Sequence, residues 1–511
     1  MASSYLAPGV YMEEVSSGSR PIEAVGTAVA AFVGLAEKGP MNEPILVTNW
    51  TQFKGTFGDF VDGYYLAHAV YGYFLNGGGT AYVVRVGGDA AAASNGHRPV
   101  AELPAAGDAA RPSLTVSALA GVENPENISV EVQPASEEGG EDTFKLVVKR
   151  GGQPVETFDN VTSRRGPNNV VTVVRQQSKL ITADEVKGKA LALPRHGEVA
   201  LAGAPALPQK AKADDYVGNS ADRTGFGGLE AVDNVTMLCA PDVLAAFKAG
   251  VFTEEDVKSV QLAMIAHCEL MADRVAIIDT PPGLNAQQVR EWRMNTAGYD
   301  SKYAALYWPW IKVTDPVAGK HVHVPPSGYL AGIWARNDST RGVHKAPANE
   351  VVRGVLSLEL NITKGEHDTL NPVAVNCIRA FPGQGIRVWG ARTLSSDPEW
   401  RYLNVRRLFN YVEKSILSGT NWVVFEPNDP KLWDSVKRTV TMFLRRVWRD
   451  GALFGRNPGE AFFVKCDEEN NPAENRDAGI LTVEIGIAPV KPAEFVVFRI
   501  SQFSDGAALD E

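Results

Sequence analysis

An amphipathic period near the end of the chain constrains this fold more than any other feature. From Pro430 to Arg449 the apolar residues Leu432, Val436, Val440, Phe443 and Val447 recur at intervals of three and four. At about 100° per residue these side chains form one stripe, and Lys431, Arg438, Arg445 and Arg449 fall almost opposite. A helix of this kind must bury one face and leave the other outside. Pro430 suits its first turn and Gly451 its stop. A solvated face is the ordinary reading of such a basic stripe. Here it belongs to a chain of formal net charge −10.

A second helix is predicted from Trp400 to Ser418, where Val405, Phe409, Val412 and Ile416 make one stripe between Ser396-Asp397-Pro398 and Gly419. Two strands are predicted after the helices. In Ile480 to Ala488, Leu481, Val483, Ile485 and Ile487 alternate with Thr482, Glu484 and Gly486. In Glu494 to Phe503, Val496, Phe498 and Ile500 alternate with Val497, Arg499 and Ser501, and Phe495, Val497, Phe498 and Ile500 are its candidate contact residues. Two such strands alone make a marginal sheet with open edges. The small, acidic tail after Ser504 is expected to fray.

At 511 residues the chain exceeds a single core and implies about three domains. The acidic balance argues against a general nucleic-acid binder. Cys239, Cys268, Cys377 and Cys466 are scattered with no CxxC pair, which suits reduced thiols rather than a disulfide framework. No secretory signal or membrane-length apolar run is visible, so synthesis and folding in the cytoplasm are expected, with no direct membrane insertion.

In chain order, Tyr5 to Val15 has strand-like composition beyond Pro8-Gly9 and precedes a loose Ser16-Ser17-Gly18-Ser19 linker. A short tethered strand suits addition to another sheet's edge, and Pro8, Gly9, Val10, Tyr11 and Met12 are its candidate contact residues. From Thr27 onward, strands and helices alternate as in an α/β layer: a strand from Thr27 to Leu35, helices at Asn49–Phe57 and Tyr64–Asn76, then a strand at Tyr82–Val86. Composition changes between Asp89 and Asp215, where Ile128–Val132, Phe144–Val148 and Val170–Val174 read as short strands of an inserted surface module. The alternation resumes with a strand at Asn234–Cys239, a helix from Thr253 to about Ala272, and a strand at Arg274–Asp279. A helix at Asn285–Thr296, a strand at Tyr303–Val313 and a helix at Pro326–Asp338 follow. The predicted fold is α/β multidomain. An arm and linker (1–20) precede an α/β core (21–88 plus 216–370) with a β-rich insertion (89–215), and an α+β C-terminal domain (371–511) completes the chain.

Chemical motifs are weak. Asp279-Thr280-Pro281-Pro282-Gly283 follows an apolar strand as in some P-loop ATPases, but no G-x-x-x-x-G-K-[ST] stretch accompanies it. His321 and His323 share a strand face without further ligands at a suitable spacing, so neither a metal nor another cofactor is expected. His267-Cys268 lies inside a helix, where adjacent side chains diverge.

The order of motifs in Asn371-Pro372-Val373-Ala374-Val375-Asn376, Trp389-Gly390-Ala391-Arg392 and Phe425-Glu426-Pro427-Asn428-Asp429 resembles the C-terminal domain of contractile tail sheath proteins. The Pro8-Gly9-Val10-Tyr11 arm is similar to the opening of such proteins. Ser327-Gly328, Ala331-Gly332 and Pro347-Ala348-Asn349 resemble signatures of their core. The resemblance implies a structural subunit with no catalysis. Many copies would stack as a helical coat around an inner tube protein, capped by baseplate and terminal proteins, and contraction would drive the tube outward. It implies that the terminal strands link neighbouring subunits, that the basic helix faces the tube, and that the insertion forms an outer knob. A single chain holding all these parts fits a phage or extracellular system better than type VI sheaths, which divide them between two proteins. The rival reading is a hydrolase, since the α/β domain of sheath proteins is sometimes described as subtilisin-like. Asp279 and His321 come in subtilisin order, but no Gly-Thr-Ser or G-x-S-x-G follows them.

Overall fold

The computed structural model describes residues 21–61, 63–87, 100–106, 108–119, 127–136, 142–164, 166–185, 193–201, 212–317 and 319–499. The arm residues Pro8 to Met12, and Ile500, lie outside the described residues.

Unbroken apolar runs demand burial on both faces, and here they form the middle of a sheet. Val275–Asp279 and Ala304–Trp308 are buried at every position. They belong to a nine-stranded sheet. Its order is Glu350–Val351, Gly385–Val388, Val375–Phe381, Ala304–Trp308, Val275–Asp279, Met237–Cys239, Val29–Gly34, Thr80–Arg85 and Ile45–Val47. The strands from Val375–Phe381 to Thr80–Arg85 run parallel, and antiparallel strands flank them on both sides. The α/β alternation read from the sequence is therefore present, in one mixed sheet.

Helices cover the sheet, and two of them approach closely. Gly328 and Gly332 open one face of the helix Ser327–Arg341. A Cβ on Gly328 would lie 2.4 Å from the Ala69 Cα, and one on Gly332 would lie 2.4 Å from the Tyr73 carbonyl oxygen. Both contacts fall on the helix Leu66–Leu75, so the glycines let the two backbones touch.

Three details differ from the sequence expectation. The core sheet continues through Val388, past residue 370, because Val375, Cys377, Ile378 and Val388 are buried in the core cluster. The segment Tyr303–Val313 splits at the cis Trp308-Pro309 bond, and Ile311–Thr314 joins a separate three-stranded sheet with His321–Val324 and Val355–Leu358. Val170–Gln177 is a helix, not a strand: Asn169 accepts hydrogen bonds from Val171 N and Thr172 N as its N-cap, and Val170 and Val174 bury one turn apart.

Within the insertion, a four-stranded and a three-stranded antiparallel sheet enclose their own apolar cluster. Leu114, Val130, Leu146, Val148 and Ile181 are fully buried there, apart from the core cluster.

A third cluster belongs to the C-terminal helices. Leu403–Gly419 bridges two clusters, with Leu403 in the core cluster and Leu408 and Val412 in the C-terminal one. Pro430–Arg449 buries Leu432, Val436, Val440, Phe443 and Val447. The chain also enters through this region. Ile22 is buried in the C-terminal cluster, its carbonyl accepts from Arg446 Nη2 at 2.8 Å, and Val25 N donates to Ser415 Oγ at 3.2 Å.

Candidate assembly surfaces

The basic helix is set by its ends. Asp429 accepts from Leu432 N at 2.9 Å, and Pro430 occupies the first turn. With its apolar stripe inside, Lys431, Arg438, Arg445 and Arg449 all stand exposed on the other side.

The C-terminal end divides into a pinned part and an exposed part. Glu484–Ile487 pairs antiparallel with Phe462–Lys465 of the same chain. Leu481, Val483, Ile485 and Ile487 pack against the C-terminal cluster. The expected strand at 480–488 is thus shorter, and its partner is a segment the periodicity did not single out. Among the described residues no third strand joins this two-stranded sheet. Beyond it, Ala488 N donates to the Ala461 carbonyl, Val490 N to the Ala452 carbonyl, and Asn404 Nδ2 to the Val490 carbonyl.

Glu494 is a further fixed point. Its carboxylate accepts from Arg392 Nε at 2.9 Å and Nη2 at 2.7 Å, from Asn371 Nδ2 at 2.9 Å, and from the Tyr402 hydroxyl at 3.1 Å. Burial works to raise this carboxyl, and the bonds from Arg392 and Asn371 outweigh it, holding it below its ordinary value. Immediately after it, Phe495, Val496, Val497 and Phe498 are exposed and form no strand within the chain. The strand expected from Glu494 is thus absent over residues 494–499, where no described strand pairs with these apolar residues.

Ion pairs hold the core and C-terminal helices together. Arg407 meets Asp338 through Nη1–Oδ1 at 2.9 Å and Nη2–Oδ2 at 2.6 Å, with both side chains buried. Arg407 Nη2 also donates to the Thr27 carbonyl, and its guanidinium lies over Trp334. Lys414 pairs with Asp273 at 2.7 Å. A cavity of about 470 Å³ opens along this seam, bordered by Val25, Thr236, Arg407, Lys414 and Leu417.

The residues of the rival reading have other partners. Asp279 is buried, and its Oδ1 accepts from Ser327 N at 2.9 Å at the start of a core helix. His321 is exposed and faces Thr314 Oγ1. In open α/β sheets a ligand crevice lies outside the carboxyl ends of strands where the chain order reverses. Here that place falls between Val29–Gly34 and Met237–Cys239. The buried carboxylate of Asp242 occupies it, accepting from Leu35 N at 2.7 Å and from Tyr65 N. No group of three or more His, Cys, Asp or Glu among the described residues is arranged to hold a metal ion. No described helix is long and apolar enough to cross a membrane.

The fold defines a mixed α/β class of protein, with the Asp242 carboxylate in the crevice of its sheet and exposed apolar residues after Glu494. Comparison with known proteins makes the class specific. Residues 228–394 match the family described as phage tail sheath protein central domain, and residues 395–503 match phage tail sheath C-terminal domain. The tail sheath protein of Burkholderia phage BcepMu is 26% identical over 98% of this chain and 97% of its own. The anti-feeding prophage helical sheath in its contracted state superposes with a TM-score of 0.59, at 23% identity over 98% of this chain and 100% of that one. The contracted sheath complex of the extracellular contractile injection system PVC gives 0.59 at 22% identity, over 98% and 99%. These two likenesses show the shared fold. The chain belongs to the contractile tail sheath family.

Proposed function

We propose that this sheath protein polymerises as a helical coat around an inner tube, in an extended state that contracts on a baseplate signal and drives the tube through a target envelope. The observation that carries this reading lies at Glu494 and the residues just after it. Glu494 is fastened by three side chains, and the four apolar residues after it are exposed and join no strand among the described residues. A strand presented in that way suits addition to a sheet edge on a neighbour, and the pair Phe462–Lys465 with Glu484–Ile487, which no third described strand joins, offers one. The same contact repeated from copy to copy does not close, so it generates a helix. The arm Pro8 to Met12 takes the matching role at the other end. Lys431, Arg438, Arg445 and Arg449 face the tube. Exposed ion pairs are each worth about 0–1 kcal/mol, weak enough to break as the sheath widens and numerous enough to set register.

The insertion is a peripheral module on the outer face, supported by its separate apolar cluster. The chain works by assembly without catalysis, inside a phage tail or tail-like particle that is built in the cytoplasm and freed by lysis. Electron microscopy of the purified protein tests the reading: hollow cylinders support it, and discrete monomers with hydrolase activity contradict it.

A further inference from the structure

The connection between the two C-terminal helices ends in an apolar tip. Val424 is exposed, and Phe425 is exposed over its whole surface. The loop that carries them is well tied. Val423 N donates to the Thr420 carbonyl at 2.9 Å, and Glu426 N to the Val423 carbonyl at 3.1 Å. Asn428 donates through Nδ2 to the Ile480 carbonyl at 3.0 Å and accepts through Oδ1 from Trp433 Nε1 at 2.7 Å. Phe425 sits at φ 69°, a left-handed conformation that bulky L side chains seldom adopt. The fold therefore spends both backbone strain and solvent exposure on this one ring, and neither stabilises the isolated subunit. Strain of this kind gathers where a surface is shaped for a partner.

The loop runs directly into the basic helix. On that helix Met442 is also exposed, and it falls on the stripe between Arg438 and Arg445. The exposed face is thus basic with apolar points, not uniformly charged. Charged rims steer and orient a partner, while a desolvated aromatic at the contact supplies most of the residence time.

We propose that Phe425, with Val424 beside it, is the apolar anchor of the tube-facing surface and seats in an apolar recess bordered by acidic groups on the inner tube. This rests on the reading that the basic helix faces the tube. The basic side chains select an acidic partner surface, and the ring determines how long the contact lasts.

The test uses the full chain and tubes assembled from the tube protein of the same particle, with cosedimentation as the readout. Phe425→Gly removes the ring and relieves the left-handed backbone, so its unfolding temperature should equal or exceed that of the unaltered chain. Its binding to tubes should fall about tenfold or more, by a factor that changes little with salt. Phe425→Trp should retain most of the binding. Unchanged binding by Phe425→Gly overturns the proposal. So does loss of the cylinders that the chain forms without tubes, because the ring would then belong to a contact between copies. Arg438→Glu with Arg445→Glu is measured in parallel. Unchanged binding in that pair overturns the helix assignment, whereas Phe425→Gly decides the ring on its own.

Discussion

Arg392 clamps Glu494 with two parallel hydrogen bonds of 2.9 and 2.7 Å, joining the end of the core sheet to the C-terminal segment. Forked pairing of this kind gives direction as well as energy. The exposed apolar residues that follow therefore start from a defined point. Glu494→Gln should lower the stability of the isolated subunit by about 1–3 kcal/mol, since Arg392 keeps a partly buried charge without its counter-ion. The sign with pH follows from the depressed carboxyl. Its contribution is present above the unfolded value of about 4.3 and is lost as pH falls through the lower folded value. Chemical denaturation at neutral and acid pH checks both statements. A variant as stable as the parent at neutral pH would show the clamp to be inert.

Arg407 and Asp338 test the seam between core and C-terminal helices. Arg407→Met alone leaves Asp338 buried and unpaired, and should cost about 3–5 kcal/mol. Arg407→Met with Asp338→Leu should recover part of that loss. Unfolding free energies of the four proteins in the cycle measure the coupling.

The two faces of the basic helix should respond oppositely. Phe443→Ala removes a buried ring and should cost about 3–5 kcal/mol. Arg445→Ala, on the exposed face, should stay within about 0.5 kcal/mol. Comparable losses at both positions would contradict the described orientation of the helix.

Burial pushes the Asp279 carboxyl up to about 7. A carboxyl raised in the folded state contributes stability that is complete below the unfolded value of about 3.9 and is lost as pH rises through about 7. Asp279→Asn keeps an acceptor for Ser327 N and removes the titration. Relative to that variant, the unaltered chain should lose up to a few kcal/mol between pH 4 and pH 7. Urea denaturation across that range should give curves that diverge; parallel curves would contradict the assignment.

The core and its helices were legible because their signals are local. The stripe Leu432 to Val447 and the run Val275 to Asp279 need only their own period to declare which face is inside. Val170–Val174 was misread because five residues rich in valine fit a strand equally well, and the Asn169 cap decides for a helix. The pairing of Glu484–Ile487 with Phe462–Lys465 has no local signature, since register across an intervening loop is a tertiary fact. The Glu494 clamp draws on Asn371, Arg392 and Tyr402, which lie far from it in sequence, and no motif links them. Exposure was invisible too: Phe425 reads as one more apolar residue until its surroundings are known.

The separate cluster of the insertion leads to another outcome. Replacing residues 89–211 by a short flexible linker should leave the core folded, because Leu146, Val148 and their neighbours pack among themselves, whereas Ala213 and Tyr216, at the end of the expected insertion, pack with the core. Far-ultraviolet circular dichroism and a cooperative melt of the shortened chain check this. Aggregation would show that the core depends on the insertion.

The central claim is that neighbouring subunits are joined by the residues beyond Glu494. Negative-stain electron microscopy of the full chain beside a chain ending at Glu494 tests it most directly. The account predicts long hollow cylinders from the full chain, and discrete subunits with an unchanged melting temperature from the shortened one. Identical cylinders from both, or dispersed subunits from both, would contradict it.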